Sequence, residues 1–112
     1  MVQELTTDNY NKYINDDQHT LIDFTATWCG PCGLMKPHFS AANDFMKSTN
    51  TAINFVSLDV DAEPDIAQQY NVSCMPTLVL LKNGKEVGRH EGMIKGKDIL
   101  TFIGKYFDVK KN

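Results

Sequence analysis

The feature that most constrains this chain is the order of patterns between Thr20 and Leu58. A short apolar stretch, a Gly-Pro turn, a long run at helical spacing and a second apolar stretch follow one another. Thr20–Ala26 (TLIDFTA) has apolar residues on both faces, as in a buried strand. Gly30-Pro31 marks the turn into a helix, along which Leu34, Met35, Phe39, Ala42, Phe45 and Met46 recur at helical spacing. Pro37 falls inside that helix and is predicted to kink it. Ala52–Leu58 (AINFVSL) reads as a second strand. Strand, helix, strand in this order requires a parallel pair joined by a crossover, which is almost always right-handed.

The flanking segments extend this unit. Thr6–Asp17 is predicted as an amphipathic helix, with Tyr10, Tyr13 and Ile14 on one side and Thr6, Thr7 or Asp8 as its cap. Pro64, after Asp61 and Glu63, opens a short helix to about Tyr70. Thr77–Lys82 is a strand, and Asn83-Gly84 is a hairpin signal leading to a strand near Glu86–Glu91. A last helix presents Ile99, Leu100, Ile103 and Phe107 inward, and Val2–Leu5 is a candidate edge strand. The expected fold is α/β, with a mixed central sheet of four to five strands flanked by four helices. At 112 residues the chain is expected to form a single domain over 1–112, large enough to bury a core without disulfide staples.

The formal net charge of −3, without a block of like charges, predicts neither a nucleic-acid nor a membrane surface. No apolar run is long enough to span a bilayer. Residues 1–9 lack the basic and apolar regions of a secretory signal. There are three cysteines, Cys29, Cys32 and Cys74. An odd count with two of them three apart does not look like a structural disulfide framework. These cysteines are expected to be chemical, in a reducing compartment, and a cytoplasmic location follows as the expectation.

The chemistry is expected at Trp28-Cys29-Gly30-Pro31-Cys32, where a strand meets a helix. C-x-x-C alone also serves zinc, but zinc needs further ligands, and His19, His38 and His90 show no ligand spacing to one another. They read as surface residues, and no metal is expected. C-x-x-C after a strand and before a helix is a much stronger redox signal. WCGPC in this setting resembles the thioredoxin family. Asp23-Phe24, Pro37, Met75-Pro76-Thr77, Lys82-Asn83-Gly84 and Gly92 extend the resemblance over nearly the full chain, in the form seen in eukaryotic cytosolic members.

The resemblance implies a thioredoxin fold and a general protein disulfide reductase. The partial positive charge of a helix start favours an anion, so Cys29 is expected to be the attacking thiolate. Cys32, one turn deeper, would resolve the mixed disulfide. Gly30 leaves the sulfur uncrowded, and Pro31 has no N–H to lose at a first helical position. Asp23 interrupts an apolar strand. From spacing alone it would be an aspartate facing solvent, whereas the resemblance makes it the general acid/base for Cys32, through water. Pro76 resembles the family's cis-proline facing the cysteines; a proline starting a strand is also well placed on its own account. Trp28 reads as a packing wall or a half-buried aromatic. Met75 and Met93 read as client-contact surface or as gap-fillers. Gly92 either admits a client backbone or serves as a turn glycine. Cys74 reads as a free thiol with no task, the alternative being a regulatory thiol that links two copies.

Two positions depart from the family pattern. Gly33 follows the second cysteine where most members have Lys or Arg, and Ser57 stands where many bacterial members have lysine. Both are expected to alter thiol tuning rather than remove function. With no glycine-rich dinucleotide fingerprint, no bound cofactor is expected, and the resemblance implies recharging by an NADPH-using thioredoxin reductase. It also implies clients such as peroxiredoxins, ribonucleotide reductase and methionine sulfoxide reductases, and a monomer with Cys74-linked dimers as the alternative. Competing expectations are a disulfide isomerase or oxidase, disfavoured by Gly-Pro between the cysteines, and a non-catalytic binding module on the same fold.

Overall fold

The computed structural model describes residues 2–106. Phe107, expected on the inner side of the last helix, lies outside the described residues. Nine elements follow in order: β1 (Gln3–Glu4), α1 (Tyr10–Ile14), β2 (His19–Thr25), α2 (Gly30–Ser48), β3 (Ile53–Asp59), α3 (Pro64–Gln69), β4 (Thr77–Lys82), β5 (Lys85–Glu91) and α4 (Gly96–Gly104). The strands form one sheet in the order β1-β3-β2-β4-β5. β1 and β2 flank β3 in parallel, and β4 runs antiparallel to both β2 and β5. The mixed five-stranded sheet and its four helices agree with the expected fold class.

Alternation along the strands divides the core. Ile22 and Phe24 of β2, Val56 and Leu58 of β3, and Val79 and Leu81 of β4 pack with Tyr13 of α1 and Ile66 of α3. Leu21, Phe55, Leu78 and Leu80 point the other way, onto Met35, Phe39 and Met46 of α2 and onto Ile99 and Phe102 of α4. β2 is therefore covered on both faces, as its uninterrupted apolar pattern predicts. The side chain of Asp23 falls on the α2 face by the same alternation.

Three sequence expectations are corrected. The first helix is shorter than Thr6–Asp17, because its ends are taken by local turns. Asn9, not Thr6, Thr7 or Asp8, stands at the N-cap, and its Oδ1 accepts from Thr6 N at 2.8 Å. Beyond Ile14, Asp16 Oδ1 accepts from Gln18 N at 2.8 Å, a side-chain turn that competes with helix. Leu34 and Phe45 of α2 are exposed at 66% and 46%, so helical spacing overcounted its inner face. His19, His38 and His90 are half-buried rather than free on the surface. His38 Nδ1 accepts from Gly96 N at 3.3 Å, joining α2 to the start of α4.

The hairpin between β4 and β5 turns at Asn83 (φ 53°) and Gly84 (φ 77°), the successive positive values of a tight two-residue turn. A bulge between Leu80 and Leu81 shifts the register before the turn. Helix α2 runs nineteen residues through Pro37, whose missing N–H leaves the Gly33 carbonyl without its helical donor.

Candidate active site

The C-terminal end of β2 and the N-terminus of α2 meet at Cys29. Cys29 is the N-cap residue, with extended backbone, and its sulfur accepts from Cys32 N at 3.2 Å. Gly30 and Pro31 occupy the first two helical positions. Cys29 and Cys32 are joined by a disulfide, with Cα atoms 5.3 Å apart. Cys29 is half-buried and reachable, whereas Cys32 is fully buried. One sulfur thus faces the outside and its partner waits a turn inside.

The loop before β4 closes the other side. The Met75–Pro76 bond is cis, in agreement with the resemblance, and Cys29 Sγ lies 3.6 Å from the Met75 carbonyl oxygen. Pro76 is buried, and its carbonyl accepts from Gly92 N at 2.8 Å, which draws the end of β5 to the site. Gly92 has φ +97°, and a Cβ there would meet nothing within 4 Å. The backbone turn requires glycine, and the space in front of it is open. Met75 is half-buried and Met93 is exposed.

Trp28 is 67% exposed, so it is a rim rather than the packing wall expected. Its indole Nε1 donates to Asp61 Oδ2 at 2.8 Å, and Asp61 is held in turn by the loop after β3, where its N–H donates to Asp59 Oδ1 at 2.9 Å.

Asp23 is 1% exposed on the α2 face of β2 and does not face solvent as spacing alone suggested. Its register neighbours are Ser57 on β3 and Leu78 on β4. Burial pushes its carboxyl up to about 7, and the nearby Lys36 charge pulls it partly back. A cavity of about 280 Å³ lined by Asp23, Lys36, Ser57, Ser40, Phe39 and Val2 opens beside it. Ser57 thus leaves room where a lysine would stand, and the cation facing Asp23 comes from α2. Among the described residues, the side-chain oxygens that are buried without a hydrogen-bond partner are Asp23 Oδ1 and Thr25 Oγ1. Such a group costs about 1–3 kcal/mol when left unpaired. Sequence reading passed over Thr25; its place two residues after Asp23 on the same strand was the available signal.

Cys74 is exposed and unbridged, 3.6 Å from Thr77 Oγ1. Gly33 is exposed, and a Cβ there would meet nothing within 4 Å. No group of three or more His, Cys, Asp or Glu side chains gathers as a metal site among the described residues.

This geometry has known counterparts. The thioredoxin family model matches residues 1–105. Thioredoxin H2 of Arabidopsis thaliana is 40% identical over 87 residues, covering 78% of this chain and 62% of that protein's length. A thioredoxin of Echinococcus granulosus is 40% identical over 92 residues, 82% of either chain. The crystal structure of a Malassezia sympodialis thioredoxin superposes with a TM-score of 0.84 at 31% identity, covering 95% of this chain and 90% of that one. Sheet order, the bridged pair at the helix mouth and these likenesses agree: the chain belongs to the thioredoxin family of protein disulfide oxidoreductases.

Proposed function

We propose that this chain works in the cytoplasm, as a single domain over residues 1–112, as a general protein disulfide reductase. The observation that carries the reading is the bridged pair, with Cys29 reachable at the helix mouth and Cys32 fully buried. In the dithiol form, the partial positive charge at the start of α2 and the Cys32 N–H stabilise a Cys29 thiolate. That thiolate attacks one sulfur of a client disulfide. A Cys29–client bond forms, and the other client sulfur leaves as a thiolate that takes a proton from water. Cys32 then gives its proton, through water, to the Asp23 carboxylate and attacks Cys29 Sγ. The Cys29–Cys32 bridge forms, the Cys29–client bond breaks, and the departing client thiolate recovers the proton. Two electrons have passed to the client. A carboxyl poised at about 7 can take and return that proton near neutrality.

The client lies across Trp28, Met75, Pro76, Gly92 and Met93. An extended segment can pair with the Met75 backbone as an added strand. Gly30 and Pro31 keep the approach to Cys29 uncrowded. The proposed cycle needs no bound cofactor or metal; electrons return from a thioredoxin reductase that uses NADPH. Clients of the family type are peroxiredoxins, ribonucleotide reductase and methionine sulfoxide reductases, with no nucleic acid and no membrane. The described residues include no helix long and apolar enough to cross a membrane, and an odd count of three cysteines, two of them three positions apart, supports a reducing compartment. The chain acts as a monomer, and Cys74 bridges two copies only under oxidation.

Insulin reduction with NADPH and a thioredoxin reductase tests the reading. The natural chain turns over, Cys29→Ser neither turns over nor captures insulin, and Cys32→Ser stops as a covalent adduct seen on a non-reducing gel. A natural chain that does not turn over, together with a Cys32→Ser variant that forms no adduct, would overturn it and leave a binding module.

A further inference from the structure

The two unpartnered buried oxygens, Asp23 Oδ1 and Thr25 Oγ1, lie two residues apart on one strand. Leu21 on the same strand joins the α2–α4 core, and Ile22 and Phe24 join the opposite one. Asp23 and Thr25 therefore share the α2 face, and Thr25 is the nearer to Cys29 along the chain. A valine would fill this position without bringing a hydroxyl into the interior. Space for water is at hand in the cavity beside Asp23, to which Ser57 also contributes. A buried water needs two to four polar partners, and the unpaired carboxyl and hydroxyl oxygens supply two.

We propose that Thr25 is a positioning residue for the proton step of the proposed disulfide reduction, its hydroxyl sharing a buried water with the Asp23 carboxyl. A threonine hydroxyl both donates and accepts, so it serves the ionised carboxylate and the protonated acid alike. When Cys32 loses its proton, the water hands one to Asp23, and the hydroxyl turns from donor to acceptor. No atom is gained or lost in the exchange. The other groups facing the pair are Lys36 from α2, and Ser57 and Asp59 from β3, with apolar Leu78 from β4. Asp59 Oδ1 is engaged by the N–H groups of Asp61 and Ala62. Lys36 is the one cation among them, and Thr25 is the neutral group placed to follow the carboxyl's protonation.

The experiment uses Thr25→Val, which keeps shape and removes the hydroxyl, and Thr25→Ser, which keeps the hydroxyl. The Asp23 carboxyl is titrated by carbon NMR, and insulin reduction is followed against pH. Losing a donor to the charged form should raise the Asp23 midpoint in Thr25→Val by about 0.5 unit or more. The acid limb of activity should move by the same amount, and Thr25→Ser should restore both. An unmoved midpoint in Thr25→Val, together with greater resistance to urea, would mean that the hydroxyl is merely unpaired and would overturn the proposal. The two readings fail separately, because this inference depends on disulfide reduction only for its purpose. A natural chain that fails to reduce insulin would end the reductase reading, while the Asp23 titration still decides the role of Thr25.

Discussion

Replacing Asp23 by asparagine should make the protein more stable at neutral pH and no more stable in acid. The native carboxyl sits at about 7 against an ordinary 3.8, because burial disfavours its charge. Between those values the folded state binds more protons than the unfolded state, so stability falls as pH rises through that window. Each unit is worth ~1.4 kcal/mol, so the three or so units give about 4 kcal/mol at most. At 1% exposure, solvent screening takes little from this figure. An asparagine side chain does not titrate, so Asp23→Asn should match the natural chain below pH 3.8 and exceed it by up to about 4 kcal/mol above pH 7. Urea unfolding of both proteins in the disulfide form, from pH 3.5 to about 8.5, keeps thiol ionisation out of the comparison. In the same variant the second step of client reduction should slow, for want of a proton acceptor. Two stability curves that run parallel across the whole range would refute the reasoning, because they would mean that Asp23 is ionised in the fold at no cost.

Two glycines give opposite expectations from the same free space. A Cβ at Gly33 or at Gly92 meets nothing within 4 Å, but Gly92 alone has a positive φ, +97°. Gly33→Ala should add about 1 kcal/mol through helix propensity, and Gly92→Ala should lose about as much or more through backbone strain, both read by thermal unfolding. Equal shifts would show that space rather than backbone decides. Asp61→Ala removes the acceptor of the Trp28 indole and should cost about 1 kcal/mol or less at this exposed position. Since the chain has one tryptophan, its emission reports the change directly, and an unchanged spectrum would place the tether elsewhere.

The parts of the fold that could be read from the chain were those with a strong local cause. The buried strand β2, the Gly30-Pro31 helix start and the Asn83-Gly84 turn each rest on a pattern that few alternatives satisfy. The short α1 was misjudged because Asn9 and Asp16 offer the backbone hydrogen bonds that compete with helix, and periodicity does not weigh that competition. Leu34 and Phe45 were misjudged because α2 meets the sheet over a narrower stripe than its apolar residues cover. At the site, WCGPC located the two sulfurs, but burial of Asp23 is a tertiary fact: it depends on α2 lying over β2 and on Ser57 standing alongside in register. Trp28 and Asp61 meet across 33 positions of sequence, and nothing local announces such a pair.

Cys29 lies just outside the first turn of α2 and Cys32 within it, so breaking the bond between them removes no backbone hydrogen bond from the helix. The scaffold can therefore remain in place while the sulfurs change oxidation state, and little reorganisation accompanies each cycle. One face must then greet two kinds of visitor, those that come to be reduced and the one that brings electrons. Since the outline hardly alters, turnover direction is set by which sulfur form each visitor can react with, and traffic is sorted by chemistry at two atoms rather than by shape.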